Sequence, residues 1–117
     1  MTRRTERVNG LLQQVISELL RREVKDPRIS GIVTITEVDV SPDLRRAKVF
    51  VSVLGSDEEK AATLQALSAA SRFLHRELRS RLTMRRVPEL TFIKDDSLAQ
   101  GARILSLLEE AAEGRAP

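Results

Sequence analysis

Seven apolar residues near the N-terminus recur at the spacing of an α-helix. Between Val8 and Leu20 they are separated by intervals of three and four residues, which places them on one face of a helix. Thr5 is positioned to cap the start of this helix. Asp26-Pro27 is expected to end it, because proline disfavours helical geometry in the residue before it.

Two β-strands are predicted next. Residues Ile32 to Val40 are rich in β-branched side chains, but their apolar phase changes halfway, which predicts a bulge near Thr36-Glu37. Residues Ala47 to Val53 alternate in polarity and form a second strand, antiparallel to the first across the turn Ser41-Pro42-Asp43. Phe50 lies on the less apolar face, where it either packs under a neighbouring element or is exposed on an open sheet; packing is favoured.

A long helical pattern follows from Asp57 to about Leu82. Ser56 and Glu59 have the S-x-x-E spacing of a capping box at its start. The small residues Ser68-Ala69-Ala70-Ser71 predict a kink or turn that divides this stretch into two helices.

The remaining pattern completes a two-layer fold. Val87-Pro88 introduces a short apolar strand, and a helical pattern runs from Leu98 to about Glu113, with Gly114 to Pro117 expected to be loose. The predicted order is α-β-β-α-α-β with a further C-terminal helix. We therefore expect an α+β domain in which helices cover one face of a three-stranded sheet.

Residues 72–86 concentrate positive charge: they carry six arginines, one histidine and a single acid. Three arginines at i, i+4 and i+7 lie within about 60° of each other on a helix, and we call them the arginine ridge: Arg72, Arg76 and Arg79. The opposite stripe is apolar: Leu74, Leu78 and Leu82. A solvated helix face accounts for this pattern about as well as a polyanion-binding surface, although the bias toward one sign favours the second.

Composition excludes several classes of protein. The 117 residues suffice for one domain, and the absence of cysteine rules out disulfides and thiolate metal sites. No apolar run approaches the roughly 20 residues that span a bilayer, so we expect a cytoplasmic protein. The net charge of +3 combines a basic body with an acidic end, a distribution that suits a nucleic-acid binder.

Catalysis has little support in the sequence. The only histidine, His75, lies among arginines and is expected to be a surface residue that contributes weakly to the positive charge. Asp95-Asp96 precedes a helix and is expected to cap it rather than to bind a metal. Phosphate-binding glycine loops and metalloprotease motifs are missing, so we expect no enzyme activity, cofactor or metal. Aromatic residues make up 3%, so RNA would be bound through phosphate, sugar and shape more than by stacking.

The chain resembles the bacterial ribosome-binding factor A family. Four stretches carry the likeness, in family order: 3–29, 33–55, the helix pair ending at 79–82, and 87–104. The segments Lys25-Asp26-Pro27-Arg28-Ile29 and Val87-Pro88-Glu89-Leu90 are its most specific motifs. The resemblance implies a single KH-like domain of type II topology over residues 1–106, with 107–117 as a helix end and flexible tail.

The resemblance also implies a function. Members bind the free small ribosomal subunit and its rRNA during late maturation, take part in 5′-end processing, support growth at low temperature and are not enzymes. The family has an Ala-x-Gly kink in place of the G-x-x-G loop of other KH domains. Here the matching residues are Ala70-Ser71-Arg72, so arginine replaces the glycine. A positive φ at Arg72 would cost about 1 kcal/mol, so the kink is expected to be shallower or moved to Ser68-Ala69.

These observations give a set of predicted RNA contacts. The main phosphate contacts are expected to be Arg72, Arg76, Arg79, Arg81, Arg85 and Arg86. The secondary contacts are expected to be Arg3, Arg4, Arg7, Arg45, Arg46 and Lys48. Arg81 leans toward the apolar stripe and is the weakest of the main set. We expect a monomer without a membrane or small-molecule partner; the alternative is a protein-interaction module without nucleic-acid contact.

Overall fold

The computed structural model describes residues 2–22, 24, 29 and 33–114. Its elements, in chain order, are α1 (Arg3–Arg22), β1 (Val33–Val40), β2 (Arg46–Val53), α2 (Asp57–Ala69), α3 (Ser71–Arg81), β3 (Glu89–Lys94) and α4 (Ser97–Gly114). The sheet has the order β1-β2-β3, with β1 antiparallel and β3 parallel to the central strand β2. The predicted element order and α+β class are confirmed.

The core lies between one face of the sheet and the helices α1, α2 and α3. It consists of buried apolar side chains from all of these elements: Leu12, Ile16, Leu19, Ile35, Val38, Val40, Leu44, Ala47, Val49, Val51, Leu67, Leu74, Leu78 and Val87. Because successive strand residues point to opposite faces, Lys48 and Phe50 lie on the face without these helices. Phe50 is half-buried there.

The predicted bulge in β1 is confirmed. The pairing of β1 with β2 shifts register between Ile35 and Glu37, so the strand gains one residue at Thr36. This extra residue reverses the alternation, and Ile35 and Val38 are therefore both buried on the helix-covered face. The extra residue in the bulge is the physical reason why the apolar phase changes halfway along this part of the sequence.

Helix α1 differs from its prediction at its start. It begins at Arg3, and the Thr2 hydroxyl oxygen accepts the backbone N–H of Thr5 at 3.2 Å while Thr5 Oγ1 accepts the N–H of Thr2 at 3.0 Å. Thr5 is buried inside the helix, so the prediction that it caps the start is wrong by three positions. The helix ends at Arg22, and Asp26-Pro27, its predicted end, lies outside the described residues.

The predicted division of the second helical stretch is confirmed at Ala70. This residue has φ −83° and ψ −4°, and its N–H still donates to the carbonyl of Ala66 at 2.9 Å, so the two helices nearly continue into each other. Arg72 lies in the first turn of α3. The only non-glycine residue with positive φ in the described part of the chain is Leu44, so Arg72 carries none of the strain that a positive φ would impose.

The third strand begins two residues later than predicted. Val87 and Pro88 are buried just ahead of β3, which starts where the Glu89 N–H donates to the Arg45 carbonyl at 2.9 Å. Proline has no N–H to donate to a neighbouring strand, which is consistent with a start after Pro88.

Helix α4 leaves the end of β3 and is largely exposed. The Asp95 carboxylate accepts the Ser97 N–H at 2.9 Å, which confirms its predicted capping role. Four large apolar side chains of this helix are 54–62% exposed: Ile104, Leu105, Leu107 and Leu108. The helix continues across the domain boundary predicted between residues 106 and 107. Within the described ranges, each helix is too short or too polar to span a bilayer.

Candidate nucleic-acid interface

The arginine ridge lies on the solvent side of α3. Arg72, Arg76 and Arg79 are all exposed, while Leu74 and Leu78 on the opposite side are fully buried in the core. Burial of each leucine stabilises the fold by about 2 kcal/mol and thereby fixes the rotation of α3 about its axis. Three guanidinium groups are consequently presented in a row along about two turns of helix.

The ridge borders a cavity at the start of β3, which we call the Arg76 cavity. It measures about 500 Å³, and Arg72 and Arg76 line it together with Ser71, His75, Glu89 and Leu90. Glu89 and Leu90 belong to β3, which is an edge strand because it is the last strand of the sheet. The two guanidinium groups therefore lie opposite an edge strand. This open, positively charged cleft suits an extended anionic chain.

A second cavity extends the basic surface along α3. It measures about 420 Å³ and contains Arg79 with Arg85 and Arg86 from the segment between α3 and β3. All three arginines are exposed, so the structure brings together cations from a helix and from the loop that follows it. The main predicted contacts other than Arg81 are therefore neighbours on one surface.

His75 lies between these two cavities and lines both of them. Its Nε2 is 3.0 Å from the carbonyl oxygen of Val87. A carbonyl only accepts, so Nε2 carries a proton in this contact. The residue is half-buried, and it ties α3 to the segment before β3 in addition to lining the predicted basic surface.

Arg81 forms an ion pair on its own helix. Its Nε lies 3.5 Å from Oε2 of Glu77, one turn earlier, and its side chain is 44% exposed. Such an exposed pair contributes only about 0.3–0.5 kcal/mol, so a phosphate can compete for the guanidinium. The rank of Arg81 as the weakest member of the main set stays a prediction.

The secondary set is divided in space. Arg4, in the first turn of α1, shares a third cavity with Arg85 and Arg86, and Arg3 and Arg7 are exposed on the same helix. Arg45 and Arg46 are exposed where the turn between β1 and β2 joins β2. Lys48 lies on the face of the sheet away from the helices, so the structure does not place it with the ridge.

The turn between β1 and β2 contains a feature that the sequence did not reveal. Leu44 has φ +60°, a conformation that is rare for a leucine, and its N–H donates to the Ser41 carbonyl at 2.9 Å. Asp43 Oδ1 accepts the Ser41 hydroxyl at 2.6 Å and the Arg45 N–H at 3.1 Å. These hydrogen bonds, that of the Ser41 hydroxyl above all, lower the pKa of Asp43, so this carboxylate stays ionised beside the arginines.

The apolar lining of the third cavity was also missed: Val8, Leu44 and Met84. Val8 matched the helical period and was placed on the apolar face of the first helix, whereas Leu44 and Met84 lie in irregular segments where no period applies. No cluster of three or more His, Asp or Glu side chains suited to a metal occurs in the part of the chain that the structure describes.

Comparison with known proteins gives consistent results over most of the chain. The family model described as ribosome-binding factor A matches residues 4–108. The ribosome-binding factor A of Dictyoglomus thermophilum is 52% identical over 110 residues, which cover 94% of this chain and 92% of that protein. The one from Synechocystis is 47% identical over 108 residues, which cover 92% and 81%.

Solved structures agree with this similarity. The crystal structure of ribosome-binding factor A from Thermus thermophilus superimposes with a TM-score of 0.68 at 30% identity, covering 77% of this chain and 93% of that one. A homology model of the Thermus thermophilus protein, fitted into a cryo-electron microscopy map of its complex with the 30S subunit, gives a TM-score of 0.61 at 30% identity. That alignment covers 75% of this chain and 91% of the fitted one.

Proposed function

The chain belongs to the ribosome-binding factor A family, and from this premise we propose that it binds the free small ribosomal subunit by contacting small-subunit rRNA through its arginine surface. The complex of the Thermus thermophilus relative with the 30S subunit supports the choice of partner. The role that follows is that of an assembly factor, which binds a maturing particle without catalysing a reaction.

One observation carries the proposal: five exposed arginines from α3 and the following loop form a continuous surface. Arg72 and Arg76 line one cavity, and Arg79, Arg85 and Arg86 line the next, with His75 between them. Among the described residues that line the two cavities, Glu89 is the one acid against five arginines, so the surface carries a net positive charge. Each guanidinium can hold phosphate oxygens by two hydrogen bonds and release condensed counterions.

The finer parts of the proposal follow from family membership. We propose that the protein acts late in subunit maturation, that it supports processing of the rRNA 5′ end, and that its contribution is greatest at low temperature, in the cytoplasm and as a monomer.

Sedimentation tests the proposal directly. The protein is centrifuged with free small subunits and with intact ribosomes, each at low and at moderate salt. We expect it to migrate with free subunits alone and to dissociate as the salt concentration rises, because phosphate contacts weaken with salt. Absence of co-migration at both salt concentrations would contradict the proposal.

A protein-interaction module is the second candidate, and the exposed apolar side chains of α4 favour it. Ile104, Leu105 and Leu108 are 58–62% exposed, an arrangement that often marks a surface for another protein. An apolar interface depends little on salt, whereas phosphate contacts depend on it steeply. The same sedimentation series therefore separates the two candidates.

A further inference from the structure

A cavity of about 560 Å³ lies at the end of the basic surface, and we call it the Met84 cavity. Three segments that are distant in sequence meet around it: the start of α1, the turn between β1 and β2, and the loop between α3 and β3. Its volume falls within the range of about 300–1,000 Å³ that is usual for small-ligand sites. The Met84 cavity includes neither the arginine ridge nor the Arg76 cavity.

The floor of the Met84 cavity is apolar. Val8 and Met84 are half-buried and Leu44 is buried, so their side chains present carbon and sulfur to the opening. Leu44 is held by the hydrogen-bonded turn in its left-handed conformation, which costs about 1–2 kcal/mol and often accompanies a functional role. Methionine is flexible and polarisable and packs well against aromatic rings.

The rim of the Met84 cavity is positively charged. Arg4, Arg85 and Arg86 line the cavity and are exposed, and none of them makes an ion pair with another residue that the structure describes. Asp43 is the one acid among the described residues that line the cavity, and its Oδ1 is already engaged by the Ser41 hydroxyl and the Arg45 N–H. Its Oδ2 remains for an N–H donor from a ligand. The apolar floor suits a base, the three cations suit its flanking phosphates, and the acceptor suits an N–H group of the base. Together these features match the parts of a nucleotide.

Resting on the proposed function, we propose that the Met84 cavity takes one unstacked base of the bound RNA, with the flanking phosphates on Arg4, Arg85 and Arg86. Continuity supports this: Met84, Arg85 and Arg86 also line the neighbouring cavity that contains Arg79. An RNA strand that follows the ridge therefore reaches the Met84 cavity without leaving the arginines. The site supplies an apolar surface for a base in a chain that has few aromatic rings.

The single carboxylate selects among the bases. Asp43 is ionised, so its oxygen accepts hydrogen bonds and repels acceptor groups. Guanine presents adjacent N–H donors on one edge, whereas uracil presents only one donor between two acceptors. Guanine therefore fits this cavity better than uracil, and 5′-GMP is a suitable probe.

Methyl NMR tests the site with little ambiguity, because the chain contains only two methionines. Protein labelled at the methionine methyl group is titrated with 5′-GMP and, separately, with ribose 5-phosphate, which lacks the base. The ring current of a bound base should shift the Met84 signal, and ribose 5-phosphate should leave it unchanged. Equal shifts with both compounds would mean that the cavity binds the phosphate and not the base. No shift with either compound would mean that the cavity binds neither of them. Each of these two results would overturn the proposal.

A matched pair of variants extends the test to the subunit. Met84→Ala removes part of the floor without changing charge, and Leu54→Ala truncates an apolar side chain that is 60% exposed outside the cavity. Loss of base packing should weaken subunit binding by about tenfold in the first variant, and the second should bind like the wild type. If a folded Met84→Ala variant binds subunits with wild-type affinity, the base-binding role of the Met84 cavity is contradicted and the proposed function is not. If the wild type fails to bind subunits, the proposed function itself is contradicted.

Discussion

Thr36 in the bulge of β1 donates a hydrogen bond of 2.5 Å to Oδ2 of Asp95, which follows β3, so this single contact spans all three strands. Asp95 is itself held by two backbone contacts: its N–H donates to the Val51 carbonyl at 2.8 Å, and its Oδ1 accepts the Ser97 N–H. The hydroxyl of Thr36 has one hydrogen, so the carbonyl of Phe50 at 3.3 Å is only its alternative acceptor. The bulge thus joins the edge strand β1 to the start of α4.

This contact predicts a pH-dependent contribution to stability. The hydrogen bond from Thr36, followed by that from the Ser97 N–H, lowers the pKa of Asp95 below its ordinary value of 3.8. A lowered pKa stabilises the folded state above the ordinary value, and the stabilisation is lost as the pH falls through the lowered one. Thr36→Val should therefore lower the melting temperature by several degrees at neutral pH and by progressively less below pH 3.8.

Thr34→Val is the matched control for this prediction, because Thr34 is an exposed threonine of the same strand. Its melting temperature should match that of the wild type at every pH, because the hydrogen bond to Asp95 comes from Thr36 and is kept in this variant. A difference between Thr36→Val and the wild type that stays constant down to about pH 2 would show that Asp95 is not the partner that matters.

The resemblance implies a glycine at the position of Arg72, whereas the helical conformation of Arg72 predicts that glycine is not favourable here. Replacing Arg72 with glycine should lower the free energy of unfolding by up to about 1 kcal/mol relative to Arg72→Ala, because α3 includes this residue. Both variants lack the guanidinium, so urea denaturation isolates the backbone effect. A glycine variant as stable as the alanine variant would indicate that residue 72 does not need helical geometry.

At position 44 we expect glycine to be less destabilising than alanine, which is the reverse of their usual order. Either substitution removes a buried side chain and should cost about 2–5 kcal/mol. Glycine adopts φ +60° freely, whereas alanine keeps the strain of its Cβ, so Leu44→Gly should be about 1 kcal/mol more stable than Leu44→Ala. Chemical denaturation of both variants measures this difference, and a more stable alanine variant would argue against the left-handed turn.

The capping box of α2 predicts a local loss of stability. Ser56 Oγ accepts the Glu59 N–H at 3.2 Å, and Oε1 of Glu59 accepts the Ser56 N–H at 3.4 Å. Ser56→Ala should lower the free energy of unfolding by about 1 kcal/mol. Ser80→Ala is a control, because the Ser80 hydroxyl donates only to a carbonyl of its own helix, and its stability should equal or exceed that of the wild type.

Local patterns of the sequence predicted what is determined by local physics. The capping box at Ser56, the helix break at Ala70 and the bulge at Thr36 each depend on a few neighbouring residues, and all three are confirmed. The position of the first cap was missed because two threonines three residues apart, Thr2 and Thr5, both fit a capping pattern. Only the hydrogen bonds between them show which one lies inside the helix.

Long-range relationships were beyond the reach of sequence patterns. The parallel pairing of β2 with β3 and the contact between Thr36 and Asp95 join residues separated by more than 40 positions. The Met84 cavity likewise combines three distant segments, two of them irregular, in which hydrophobic period gives no information about which way a side chain points. The ridge was predictable because its three arginines share one helix, whereas its continuation through Arg85 and Arg86 depends on the path of a loop.

The salt dependence of subunit binding measures the role of the ridge most directly. Affinity for free small subunits is determined over a range of salt concentrations for the wild type, for Arg76→Ala/Arg79→Ala, and for Arg103→Ala as an exposed control on α4. If the ridge binds phosphates, the double variant stays folded, binds more weakly, and has a log–log salt slope smaller by about 2, while Arg103→Ala matches the wild type. Unchanged affinity and slope in the folded double variant at physiological salt would contradict the ridge as the rRNA-binding surface.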